Sequence, residues 1–333
     1  MIRTTTILAA ILVAAVLAPI AAAADIALLP DNAVRDSAGR IIKVEKPFSR
    51  IISLYGAHTE NLFSLGLDEE VIGVARGDDH PAEAAEKPRF SAHDGPERFL
   101  AVQPDLVLVR PMLDRGYAPL MERLASFGVQ IASFQPGSVE EMREYWKALG
   151  RLTGTEAQAL GMVERFARGV GAARELAAAV DTKKAVYFEA IHNKFKTFSP
   201  GAMPLFALET AGGVNAAADA ASVRGTNIAY YGKERILSRA DEIDVYMAQR
   251  GTMNQPTVEE IMDEPGYSVI KAIRQNRVVL VDEEIVSRPT LRLLEGIWTM
   301  GNALYPDVFD ASARQRITRC AESDDSGHDV GRP

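Results

Sequence analysis

Arginine, histidine and tyrosine recur in this chain directly after short apolar runs. Tyr55 and His58 follow the run at 51–54, Arg76 follows 71–74, and Arg110 follows 106–109. Phe90 and His93 stand in the stretch before Pro96. In the second half His192 comes after the run ending at Glu189, Arg250 after 245–249, and Arg288 after 278–281. Arg224, Tyr230 and Tyr231 occupy a turn-rich stretch between helical patterns. Arginine offers a rigid fork of donors that suits carboxylates and other oxyanions. Tyrosine and histidine stack on flat ligands or ligate a metal. The set therefore suits an oxyanion-bearing or metal-bearing ligand. A second chemistry is open to the same residues. His58, His93 and His192, with Asp94 or Glu189, make a set for a bare zinc or manganese ion. Asp78, Asp79 and the lysines after Glu189 read as solvated charges.

Nothing in the sequence supplies catalytic machinery of a familiar kind. There is no GxxxxGK[ST] loop, no GxGxxG after a strand, no HExxH and no GxSxG elbow. The expectation is a binding protein and not an enzyme, with no intrinsic cofactor.

The elements that must position these residues follow from periodicity. Short β-branched or aliphatic runs predict strands over 50–54, 71–74, 106–109 and 131–134. Helical patterns lie between them at 59–65, 96–102, 117–127 and 138–152, the last opening on a capping box, Ser138 with Glu141. Alternation of this kind predicts a parallel sheet covered on both faces. At the first strand-to-helix junction, Gly56 reads as the residue that permits a sharp exit and Thr59 as the helix N-cap. Residues 154–180 contain no proline, and Leu160, Val163, Phe166, Val170, Ala173 and Leu176 recur every three or four positions. This predicts one helix of roughly 25 residues, close to 40 Å long, starting near Thr153 or Thr155. Strands at 185–189, 245–249 and 278–281 then alternate with helices at 203–211, 234–239, 257–262, 267–273 and 291–304. In open α/β sheets ligands bind beyond the carboxyl ends of strands, which is where the candidate residues fall.

The chain of 333 residues is 47% hydrophobic, enough for two modest cores. Its formal net charge of −8 argues against nucleic acid or an anionic membrane surface as a partner. Cys320 is the one cysteine, so an internal disulfide is impossible. Residues 1–24 combine Arg3, an apolar stretch and a run of alanines, the three parts of an export signal cleaved near Ala24. The expected division is a signal peptide at 1–24, an α/β lobe at 25–153, a linking helix at 154–181, a second α/β lobe at 182–318 and a disordered tail at 319–333. A monomer in a bacterial periplasm is expected.

Several segments resemble the periplasmic substrate-binding proteins of cobalamin and ferric-siderophore ABC importers. They are Arg50-Ile-Ile-Ser-Leu54, Thr59-Glu-Asn-Leu-Phe-Ser-Leu-Gly66, Val71-Ile-Gly-Val74 and Asp79-His-Pro81. The most specific is Glu97-Arg-Phe-Leu-Ala-Val-Gln-Pro-Asp-Leu-Val107, and Ser287-Arg-Pro289 with Leu304-Tyr-Pro306 continues the likeness. The resemblance implies a class III fold: two Rossmann-like lobes with parallel sheets joined by a single long rigid α-helix, with ligand in the cleft between them. It implies an inner-membrane ABC permease with a cytoplasmic ATPase as partner, docked through one surface glutamate per lobe, Glu97 and Glu234. It implies a metal chelate as ligand, a ferric siderophore, haem or other tetrapyrrole, or corrinoid, so that iron or cobalt arrives with the ligand. Where cobalamin binders carry aromatics, this chain has Ala75-Arg-Gly-Asp-Asp-His80 and Phe90-Ser-Ala-His-Asp-Gly95, which favours an anionic or metal-bearing ligand over cobalamin itself. A metal-chelate enzyme, chaperone or sensor on the same fold is the alternative.

Overall fold

A computed structural model describes residues 25–222, 226–252 and 254–319. The predicted export segment 1–24, Arg224, Cys320 and the rest of the tail lie outside the described residues. Three sheets organise the chain. The first is a small antiparallel one, β1 (Ala27–Leu29), β2 (Ala33–Arg35) and β3 (Ile41–Lys43), absent from the sequence expectations. Its strands are three residues long, too short for an alternation pattern to register.

The second sheet comprises β4 (Ile51–Ser53), β5 (Val71–Ala75), β6 (Arg89–Phe90), β7 (Leu106–Val109) and β8 (Gln130–Ser133), in the order β6-β5-β4-β7-β8. All its pairings are parallel. Every residue of β4 and β7 is buried, as expected of strands covered on both faces.

The third sheet contains β9 (Ala185–Ile191), β10 (Lys196–Phe198), β11 (Val214–Asn215), β12 (Ile228–Tyr230), β13 (Val245–Arg250) and β14 (Val278–Asp282). Its path is β12-β10-β9-β13-β14, with β11 also on β9. Here the expectation of a wholly parallel sheet fails: β10 pairs antiparallel with both β9 and β12. The tight turn at His192–Lys194 returns the chain beside β9, and Phe195 takes a positive φ of 49° to do so.

Between the two large sheets lie helix Val139–Thr153 and the long helix Glu156–Ala178. At 23 residues the long helix spans roughly 34 Å. Gly154, at φ 71°, ends the first helix and redirects the chain. Neither threonine caps the second helix: Thr155 makes no side-chain cap bond, and the Thr153 hydroxyl turns back to Leu149 O at 2.8 Å. The expected capping box is half formed. Ser138 accepts from Glu141 N, but the Glu141 carboxylate accepts from Gly137 N. The two helices touch through small residues, since a Cβ on Gly150 would lie 2.7 Å from Ala159 Cβ. Farther along, a Cβ on Gly169 would meet Leu294 and Ile317, so the long helix packs on helices Leu293–Leu304 and Ala311–Thr318. The main apolar core is continuous from Ile51 through Trp146 and Phe166 to Phe309, and each lobe adds a smaller cluster of its own, around Val107 and Phe99 in the first and around Tyr246 and Tyr267 in the second. The Trp146 and Phe166 rings meet edge-on at 5.7 Å.

The lobes are also tied by one buried carboxylate. Glu60, on helix Gly56–Ser64, is 4% exposed. Its Oε1 accepts from Arg288 Nη1 at 3.0 Å and Arg292 Nη2 at 2.9 Å, and its Oε2 accepts from Arg292 Nε at 2.9 Å. Glu284 completes the cluster, binding Arg288 at 2.6 Å and Arg292 at 3.0 Å. Beside it, Asn61 Nδ2 and Trp146 Nε1 both donate to Pro289 O, at 2.9 and 3.2 Å. Replacing Glu60 by alanine should cost about 3 kcal/mol, the lower end for breaking a buried pair, because Glu284 still serves both arginines. Arg288→Ala should cost clearly less, since Arg292 still holds Glu60. Urea midpoints of the two variants would check this order.

Candidate ligand cleft

Tyr55 stands where β4 gives way to helix Gly56–Ser64, in the N-cap position with extended backbone. The helix begins earlier than predicted, which reassigns its first residues. Thr59 lies inside it, its hydroxyl 2.6 Å from Asp78 Oδ2 and 2.8 Å from Ser53 Oγ. Gly56 is needed for space, not for an unusual turn: a Cβ there would sit 2.7 Å from Arg288 Nη1.

Arg110, at the end of β7, lays its guanidinium 4.9 Å from the Tyr55 ring centroid. Among the described residues it forms no ion pair, and its Nε is buried without a hydrogen-bond partner. Burial pushes the Tyr55 phenol above its usual pKa, the positive charges of Arg110 and Arg288 oppose that, and Glu283 and Glu60 reinforce it. Tyr55 is thus a protonated donor at neutral pH, with charges from both lobes around it.

Beside this pair Arg76, Phe90 and His93 line a slot of about 200 Å³ with Leu54, Leu113 and Tyr117. Arg76 is exposed and paired with Asp94 at 2.9 Å. His93 meets Tyr117, Nε2 to hydroxyl at 2.8 Å. Tyr117 was not among the predicted residues; its place in the segment after β7, shared with Arg110, was the available signal. Phe90 needs correction as a ligand contact. It is 2% exposed, packs on Phe99 at 5.1 Å and covers Gly73, so it borders the slot mainly as a core residue.

On the other lobe, Arg250, Gly251, Glu283 and Arg288 surround a cavity of about 420 Å³ at the ends of β13 and β14. Arg288 is not a free cation, because Glu60 and Glu284 occupy its guanidinium. Tyr230 lies exposed on the edge strand β12. Tyr231 is corrected to a core residue, 2% exposed, with its hydroxyl donating to Asp219 at 3.1 Å. His192 is half-buried at the end of β9. Its Nδ1 faces Glu189 Oε2 at 3.0 Å, and that hydrogen bond, against the opposing effect of burial, raises its pKa. Glu189 itself is fully buried and also accepts from the Tyr246 hydroxyl. A cavity of about 440 Å³ beside β8 is lined by Arg40, Asp114, Met121 and Ile131, all of one lobe.

The bare-metal set is not assembled. Among the described residues no three histidine, cysteine or carboxylate side chains converge on a metal position. His58 is the clearest reason. It is fully buried, Tyr145 Oη lies 2.6 Å from its Nδ1, and its Nε2 reaches Val109 O at 3.0 Å. The carbonyl can only accept, so Nε2 donates and Nδ1 accepts from the tyrosine, leaving no lone pair for a ligand.

The periplasmic binding protein family matches residues 51–285, most of the chain. The chain belongs to that family. This periplasmic binding protein is 25% identical over 285 residues to YvrC of Bacillus subtilis, described as an uncharacterized ABC transporter substrate-binding lipoprotein; 83% of this chain and 86% of that one are covered. It is 28% identical over 256 residues to the vitamin B12-binding protein of Vibrio parahaemolyticus, with 76% and 88% covered. Among solved structures it resembles a possible iron-binding, periplasmic solute-binding protein from Staphylococcus epidermidis. That match has a TM-score of 0.69 and 26% identity, and covers 78% of this chain and 100% of the other. The two-lobed α/β architecture is the family's own. Among the described residues of this binding protein, no helix is long and apolar enough to cross a membrane.

Burial lowers the His58 pKa from 6.5 to about 4. The folded state therefore holds a neutral imidazole that the unfolded chain protonates first. The contribution is complete above about pH 6.5 and is lost as pH falls toward 4, by about 3 kcal/mol in total. Urea unfolding of wild type and His58→Gln between pH 7.5 and 4 should show a wild-type curve that falls more steeply. Parallel curves would contradict the assignment.

Proposed function

We propose that this chain is the exported solute-binding component of an ABC importer, capturing a metal chelate between its lobes. It then delivers the chelate to an inner-membrane permease driven by a cytoplasmic ATPase. The observation that carries this reading is the cleft mouth, where Arg110, without an ion pair among the described residues, lies over a protonated Tyr55 that also feels Arg288 and Glu283 of the other lobe. A half-buried cation without a partner is costly unless something anionic or hydrogen-bonding completes it. The chelate class is supported by relatives named for vitamin B12 and for iron. The metal, iron or cobalt, belongs to the cargo. The protein works as a monomer in the periplasm after removal of residues 1–24, and it binds without catalysing a reaction.

Glu97 and Glu234 serve as the permease contacts in this reading. Both are exposed, each sits in the first turn of a short helix, Pro96–Leu100 or Lys233–Ser238, and each lobe carries one. Among the described residues neither forms an ion pair within the chain. Reversing both to arginine should lower uptake by about tenfold or more while leaving ligand affinity unchanged. Uptake at the wild-type rate would remove the docking role. Visible absorption and mass spectrometry of protein taken from its native periplasm should find one metal with an organic chelator. Protein isolated with a bare zinc or manganese ion would overturn the chelate reading.

A further inference from the structure

Two half-buried charges at the cleft mouth lack partners, and they come from opposite lobes with opposite signs. Arg110 is the cation. Glu283 is the anion: its Oε2 is buried without a hydrogen-bond partner, and it forms no ion pair among the described residues. Except for Arg250, the other charges nearby are occupied. Arg76 pairs with Asp94, Arg288 and Arg292 with Glu60 and Glu284, while Asp282 caps Glu284 N. Arg250 lies exposed at the rim. Glu283 is placed by the chain just beyond β14 and rests on Gly251, where a Cβ would fall 2.0 Å from its Oε2. It lines the 420 Å³ cavity, and its charge and that of Arg110 both act on Tyr55.

We propose that Glu283 is a specificity-determining residue that accepts N–H donors from the rim of the bound chelate. The cleft then selects chelates that carry amide or amine groups together with an oxyanion or other acceptor, and disfavours uniformly anionic ones. This rests on the chelate-capture reading above. A ligand N–H on the cavity side of Glu283 would compensate a carboxylate whose enclosed Oε2 the protein leaves without a donor, whereas a carboxylate or catecholate in the same place would add like charge against it. Arg110 and the Tyr55 hydroxyl supply donors for the acceptor side of the same ligand. Gly251 is required because any side chain there would displace Glu283 from this position.

The test is equilibrium binding of the full mature chain to three probes: cyanocobalamin, with its amide rim; ferric protoporphyrin, with two carboxylates; and a trianionic ferric tris-catecholate. Wild type should prefer cyanocobalamin. Glu283→Gln should weaken that probe by about tenfold, the scale of one hydrogen bond to a charged group, and should tighten the anionic probes. Glu283→Asp should keep the wild-type order of preference, which a merely structural role would not require. A wild type that prefers the tris-catecholate, or preference ratios unmoved by Glu283→Gln, overturns the assignment of Glu283 while leaving chelate capture standing. Failure to bind any of the three overturns chelate capture for these classes and the inference with it.

Discussion

Glu60 holds the two lobes in register. A carboxylate that is 4% exposed accepts three hydrogen bonds from two arginines contributed by the other lobe, 228 and 232 residues away in sequence. Such a group cannot be left without those donors, because a buried uncompensated charge costs several kcal/mol. The neighbouring carbonyl of Pro289 receives Asn61 and Trp146, so the same contact also fixes the chain leading into helix Leu293–Leu304. Together with the long helix and a core that does not break between lobes, this sets the distance across the mouth before any ligand arrives. Preorganisation of that kind lowers the ordering cost of binding.

The contact also decides the electrostatics of the cleft. By drawing Arg288 and Arg292 onto Glu60 and Glu284, it removes two cations from the pool that would otherwise face a ligand. What remains unpaired among the described residues is the half-buried Arg110, the half-buried Glu283 and, exposed at the rim, Arg250, a mouth of mixed charge. A count of arginines in the sequence points to an anionic chelate. The paired arrangement points instead to a ligand that offers both donors and acceptors.

The strands and helices were largely legible, because their signals are local. Runs such as Leu106–Val109 are apolar throughout, and the three-and-four spacing before Ala178 is visible without any partner. What was missed was mostly short: β1 to β3, β6 and β10 to β12, two or three residues each and too brief to carry a period, and the helices Pro111–Gly116, Glu283–Val286 and Ala311–Thr318. The N-cap at Thr59 failed because Gly56 had already begun the helix, which left Thr59 to bond Asp78. Of the candidate site, Arg76, His93, Arg110 and Arg250 do stand at strand ends. His58, Phe90 and Tyr231 share that sequence position, but their side chains turn into the protein, toward Tyr145, Phe99 and Asp219 respectively.

The sequence alone determined the architecture, the long brace and the loops from which ligand contacts must come, since each depends on residues a few positions apart. Tertiary structure decided which of the polar residues in those loops remain available. Availability depends on partners distant in the chain: Tyr145 for His58, Glu60 for Arg288, and for Arg110 no ion-pair partner among the described residues. Burial and charge pairing act through space, so the same residue type in the same kind of loop becomes a core histidine, a spent cation or a free one according to what the fold brings beside it.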